Sequence, residues 1–299
     1  MYTGPVIDTH MHLWDLANGY PWLSKPDPAF QRLIGNYDQL RRNFLAPDYL
    51  ALTRDANVVK SVHIQAFGFA DDPVAETTWL RAQTSRYGYP TGIVAYADLT
   101  DPRLDEMLRR HCEGGDVRGM RMPLNYDTEP WRRMADREDY MRDTQWRKGF
   151  ALLSRHGLVF DMQIYDHQAP DAVALARSFP DTTIVVEHLA WPIDLSASGF
   201  GRWVRYVASL AECPNVFMKM SGIGCVFQRS RRALVLQYLR QAVATFGAAR
   251  CMFGSNCPPD TLYYGFAELM ETYSDAFSSL SASEQHDVFH GTAQRVYRL

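Results

Sequence analysis

The decapeptide VIDTHMHLWD at residues 6–15 places three side chains able to bind a metal or move a proton, Asp8, His10 and His12, at two-residue spacing. In a strand, side chains alternate faces with period two, so these three are expected on one face and Ile7, Thr9 and Met11 on the other. An imidazole titrates near neutrality and offers a nitrogen lone pair, which makes the pair a candidate for proton transfer or for metal ligation. An arbitrary His-x-His more commonly bonds to nearby loops, so the rest of the chain has to decide.

Further polar residues stand at the ends of other apolar runs: His63 and Gln65, Arg118 and Arg121, Asp161 and Gln163, Glu187 and His188, Lys219 and Ser221, Ser255 and Asn256. One such residue could be a satisfied core group; polar ends on nearly every run fit a functional rim better. Arginine offers a rigid fork that binds a carboxylate at two points. Arg118 and Arg121 are therefore candidates for holding an acidic substrate, although opposite strand faces let at most one aim inward. Lys219 reads as a second anion contact or, in a buried site, an oxyanion stabiliser, and equally well as a surface lysine. Trp14, Tyr20 and Trp22 could stack on a ring, or simply fill a lid. Asp260 either reaches back towards the site or caps the helix that "PPD" announces.

The elements that must position these residues are legible in outline. Short β-branched runs recur at 5–12, 58–66, 91–98, 117–122, 157–164, 182–189, 215–222 and 250–256, with helical patterns between several of them. In 230–247, Val235, Leu239, Ala242, Val243 and Phe246 recur at helical spacing and Gly247 stands at the C-cap. Asp101-Pro102 reads as an N-cap and first helical residue, with Gly114-Gly115 as the stop. Eight strand–helix alternations predict an α/β fold, a (β/α)8 TIM barrel forming a single domain over 1–299. Two longer connections, 13–47 and 123–147, follow strand C-termini and are expected to wall the pocket there.

Bulk properties set the class. A hydrophobic fraction of 46% and a charged fraction of 22% are those of a globular protein with a substantial core. A net charge of −3 gives no basic footprint for nucleic acid. Five widely spaced cysteines without a Cys-x-x-Cys pair suggest neither a disulfide framework nor a zinc ribbon. With no signal-like start and no apolar run of membrane-spanning length, the expected location is the cytoplasm. Oligomeric state is not readable.

The segments IDTHMHLWD, IVVEHLAWP, MFGSNCPPD and GTAQRVYRL, together with YPWL at 20–23, resemble the amidohydrolase superfamily. The similarity is to its amidohydrolase-2 branch, in the group that includes L-fuconolactonase and the 2-pyrone-4,6-dicarboxylate lactonases. It runs in order from residue 6 to 299. The resemblance implies a barrel with hydrolytic chemistry at its C-terminal face. It implies that His10, His12 and His188 bind one divalent metal ion, zinc above others, in members that use one, while some lactonases of the branch work without a metal. Asp161 and Gln163 occupy the region where a further histidine would stand. Asn256 occupies the place of an aspartate that takes a proton from water, and an amide cannot do that near neutral pH.

The expectation is a hydrolase opening a lactone of a sugar-derived or aromatic-catabolic acid, an anionic or polyhydroxylated small molecule. His10, His12, His188 and Asn256 would be its catalytic groups, and Arg118, Arg121, Lys219, Gln65 and Trp22 its substrate contacts. Two alternatives remain: a metal-dependent decarboxylase or hydratase of an aromatic acid, and a non-catalytic binder of small acids.

Overall fold

In the computed structural model, which describes residues 1–69, 72–228 and 232–299, eight strands follow one another around one sheet in chain order. They are β1 (Val6–Met11), β2 (Val58–Ile64), β3 (Gly92–Ala95), β4 (Val117–Arg121), β5 (Val159–Met162), β6 (Ile184–Val186), β7 (Val216–Met220) and β8 (Cys251–Phe253). Every neighbouring pair from β1 to β8 is parallel. The ring closes where Met11 bridges Cys257, His12 N–H donates to Cys257 O at 2.8 Å, and Asn256 N–H donates to His10 O at 2.6 Å. The fold is the expected (β/α)8 barrel.

Apolar residues dominate the strands because both faces are covered, with Asp8, His10, Ser61, Asp161 and Lys219 among the polar interruptions. Outside them lie helices such as Pro73–Tyr87, Thr144–Arg155, Ala197–Ala211 and Arg232–Phe246. Gly247 ends the last of these at φ 77°, as its sequence predicts; residues 230 and 231 of the expected helix lie outside the described residues. The helix expected to start at Asp101-Pro102 is regular from Leu104, and Asp101 accepts from Arg103 N–H at 2.7 Å, the bond an N-cap side chain makes.

Inside the barrel, Val62, Ile64, Val94, Val159, Val185 and Met252 meet Val296 and Tyr297 from the C-terminal helix Thr292–Tyr297. This plug fills the N-terminal end, where Leu299 lies against Gly92, the first residue of β3. The segment GTAQRVYRL thus works as a stopper. Above it the opposite end is free to carry polar groups. Among the described residues no helix is long and apolar enough to cross a membrane.

Candidate active site

At the C-terminal end of the strands a cleft, about 530 Å³ with the open solvent at its mouth included, is lined by His12, Gln65, Arg121, Gln163, His188 and Asn256, under a cover of Trp22, Phe30, Phe67, Met134 and Trp191. The two long connections supply much of that cover: Trp22 and Phe30 come from 13–47, and Met134 from 123–147. Trp22 is fixed by donating its indole N–H to Ala66 O at 3.0 Å. Trp14 and Tyr20 are buried and pack beneath the cover, away from the cleft.

Three imidazoles meet at the floor. The rings of His10 and His12 lie 5.0 Å apart, and those of His10 and His188 4.6 Å apart. Two of them spend Nδ1 on a protein neighbour, His12 on Ile64 O at 2.7 Å and His188 on Ser221 Oγ at 2.9 Å, while His10 Nδ1 lies 3.3 Å from Glu187 Oε1 without a hydrogen bond. A backbone carbonyl only accepts, so His12 carries its proton on Nδ1 and presents a bare Nε2. Burial holds all three imidazoles neutral: it pushes His188 down to about 3, and His10 and His12 well below the usual histidine value.

Asn256 sits at φ 52° just past β8. Its Nδ2 donates to Asp260 Oδ1 at 2.8 Å, which turns Oδ1 towards His12 Nε2 at 3.4 Å. Two acceptors thus face one small volume, and a molecule that donates twice, such as water, satisfies both. The amide at this position has a structural reason, since a carboxylate could not donate to Asp260. Asp260 itself neither enters the cleft nor caps its own helix. Its carboxylate accepts from Gly224 N–H at 2.8 Å and Cys225 N–H at 3.1 Å, tying down the short helix Ile223–Phe227.

A test follows. Asn256→Asp places a carboxylate against Asp260 and is expected to cost about 1–3 kcal/mol of stability at pH 8. Burial has already pushed Asp260 up to about 6, so a raised folded-state pKa adds stability only at low pH and loses it as pH rises. The thermal-unfolding deficit should shrink between pH 8 and pH 5.5. A deficit independent of pH contradicts the contact.

Other expected residues are relocated. Asp8 does not share the face of His10 and His12, because the β1–β2 register shifts between Asp8 and Met11. Its carboxylate accepts from Tyr49 Oη at 2.8 Å and Ser255 N–H at 2.8 Å instead. Arg118 lies at the plugged end, where a Cβ on Gly92 would meet its Cγ at 3.3 Å, so it is no substrate contact. Lys219 is fully buried beneath the cleft; its Nζ is paired with Asp161 and lies 3.9 Å from Glu187 Oε1. Asp161 in turn accepts from Tyr297 Oη at 2.8 Å. Arg121 reaches the cleft but is not a free fork: its terminal nitrogens donate to Glu187 Oε2 at 3.2 Å, Gln163 Oε1 at 3.2 Å and Gln65 O at 2.6 Å. Only its Nε, buried, has no partner.

Glu187 is the residue that strand periodicity hides. Adjacent residues in a strand point to opposite faces, so Glu187 and His188 could not both be inward. β6 ends at Val186, however, and His188, Leu189, Ala190 and Trp191 run at φ 53°, 57°, 56° and 31°. A left-handed turn of four non-glycine residues costs roughly 1–2 kcal/mol per residue, and it brings both side chains to one site. Trp203 Nε1 donates to Leu189 O at 2.7 Å and helps hold the turn. Gly222 makes room: a Cβ there would come within 2.4 Å of His188 Nδ1.

The ligand atoms of His10, Glu187 and His188 lie within 4.8 Å of one another, and His10 Nε2 has no hydrogen-bond partner. Two imidazoles and a carboxylate are the donor types that zinc takes, so the residues fit a divalent cation. The set differs from the expected one in taking Glu187 and leaving His12 outside.

Comparison with known proteins agrees with this architecture. The family model described as Amidohydrolase matches residues 7–299. An uncharacterized Sinorhizobium fredii protein, y4mH, is 35% identical over 98% of both chains. L-fucono-1,5-lactonase of Burkholderia multivorans is 29% identical, covering 98% of this chain and 96% of its own. A crystal structure of an amidohydrolase from Burkholderia multivorans with bound zinc superposes with a TM-score of 0.82 at 28% identity, covering 99% of this chain and 100% of that one.

Proposed function

The chain belongs to the amidohydrolase family, and from that premise we propose that it hydrolyses the ring ester of a neutral, polyhydroxylated sugar lactone. The observation that carries this reading is the pair of acceptors, His12 Nε2 and Asn256 Oδ1, converging at 3.4 Å on the cleft. The relatives named fuconolactonase support the reaction class.

Water donating to both acceptors is oriented with its oxygen lone pair towards a lactone carbonyl lying under Trp22 and Trp191. As the carbon–oxygen bond forms, His12 Nε2 takes the proton; the neutral imidazole is already in the accepting form. Negative charge grows on the carbonyl oxygen, and the guanidinium of Arg121, a cleft-lining residue, would stabilise it. Collapse expels the ring oxygen, which takes the proton back from His12 and leaves a hydroxy acid. His10, Glu187 and His188 would hold a divalent ion if one binds, and it would supply Lewis acidity to a carbonyl oxygen. That an amidohydrolase structure from Burkholderia multivorans carries bound zinc supports the binding of such an ion.

Arg121 also bears on substrate charge. Its guanidinium is matched by Glu187, so the cleft offers no uncompensated cation to a dicarboxylate. Neutral aldonolactones are therefore expected to exceed dicarboxylate lactones in kcat/KM by at least about tenfold, a difference of ~1.4 kcal/mol. Proton release from a panel of both classes checks this. Preference for the dicarboxylates overturns the neutral-substrate reading, and turnover of neither class overturns the lactonase itself.

A further inference from the structure

Beside the cleft lies a second, larger chamber, about 1150 Å³ with the open solvent at its mouth included. The two share Gln65, Phe67 and Met134 in their linings and so adjoin one another. Nothing in the chemistry above uses this space.

Its lining is specific. Phe67, Tyr96 and Tyr140 contribute ring surface, while Glu76, Asp98 and Asp136 contribute carboxyl groups. No lysine or arginine lines it among the described residues. The carboxylates are only partly used: Asp136 accepts from Tyr140 Oη at 2.7 Å, Asp98 from Thr100 N–H at 2.8 Å, and Glu76 from Ala66 N–H at 3.1 Å. At the junction Gln65 is fully buried, yet its Nε2 has no hydrogen-bond partner. Its Oε1 is taken by Phe67 N–H at 2.8 Å, which fixes the amide with the donor left over. A buried donor without a partner costs free energy, and a ligand acceptor relieves it.

These groups select among ligands. An anionic substituent meets carboxylates and no cation. An ammonium group suits the carboxylates but cannot accept from Gln65 Nε2. Hydroxyl groups both donate and accept, so they satisfy Asp98, Asp136 and Gln65 together, and the C–H faces of a sugar ring pack on aromatic rings. Burial also pushes Glu76 up to about 7, so near neutrality it supplies a donor as well. We propose that the second chamber is a subsite for an uncharged glycosyl unit, so that the substrate is an aldonolactone carrying a second sugar. The proposal rests on the lactonase reading for its substrate, but the chamber can be tested without that chemistry.

Calorimetric titration with a disaccharide alditol and with the corresponding single-unit alditol reads the chamber alone. The disaccharide form should bind about tenfold more tightly, ~1.4 kcal/mol, and the double variant Asp98→Asn/Asp136→Asn should reduce that ratio several-fold. In turnover, a disaccharide aldonolactone should show a KM about tenfold below that of the single-ring lactone, with similar kcat. Equal affinity of the two alditols, or tighter binding of an amine-bearing or carboxylated analogue than of the glycosyl one, overturns the subsite. Tighter disaccharide binding without hydrolysis of any lactone supports the subsite and overturns the lactonase reading instead.

Discussion

His12→Ala lowers kcat/KM for a neutral aldonolactone by about 10²- to 10⁴-fold, the range that a positioned proton acceptor supplies. The size of the effect comes from geometry. His12 lines the cleft, its Nδ1 proton is committed to Ile64 O, and its Nε2 lies 3.4 Å from Asn256 Oδ1, both atoms belonging to cleft-lining residues. The lost side chain leaves Ile64 O without its imidazole donor, so some stability also goes, and circular dichroism must accompany the kinetics. His63→Ala is the control. Its ring lies 6.1 Å from that of His12 and bonds to Leu13 O at 3.3 Å, outside the cleft lining. A folded His12→Ala protein within a few-fold of the parent contradicts the proton role, as does an equal loss in His63→Ala.

Lys219→Met is expected to have the largest effect on stability. Lys219 sits between Asp161 and Glu187 with no solvent access. Methionine fills comparable volume but leaves Asp161 with Tyr297 and no cation. Breaking a buried pair from one side typically costs about 3–5 kcal/mol, which urea unfolding reads as a lower midpoint at an unchanged slope. The same change loosens Glu187, which positions both His10 and Arg121. Activity should therefore fall in protein that is still folded at low urea. A midpoint within about 0.5 kcal/mol of the parent shows the network to be slack.

The barrel was legible because it is written in repetition. Eight apolar runs separated by helical patterns leave few ways to bury every face, and the ladder order β1 to β8 follows. The site was legible where residues follow strand periodicity, as His10 and His12 do, and obscure where the backbone departs from it. Asp8 is displaced from the expected face by a register shift, and Glu187, which the sequence places at a strand end without a role, joins the site because a left-handed turn lets neighbouring residues face one way. Lys219 and Arg121 expose a different limit. Their types suit anion binding, but whether a cation is free or already matched depends on partners 66 residues away for Arg121 and 58 for Lys219. The position of Asn256 was readable, yet the reason for its amide lies in Asp260, whose carboxylate needs a donor.

The most direct measurement is proton release during ring opening of a neutral aldonolactone by the purified protein, before and after exhaustive chelation. The account places the proton on His12, outside the His10–Glu187–His188 set, and so predicts turnover well above the spontaneous rate that survives chelation. Turnover that vanishes on chelation and returns only with zinc would contradict it, making the metal and not the His12–Asn256 pair the source of the reactive water.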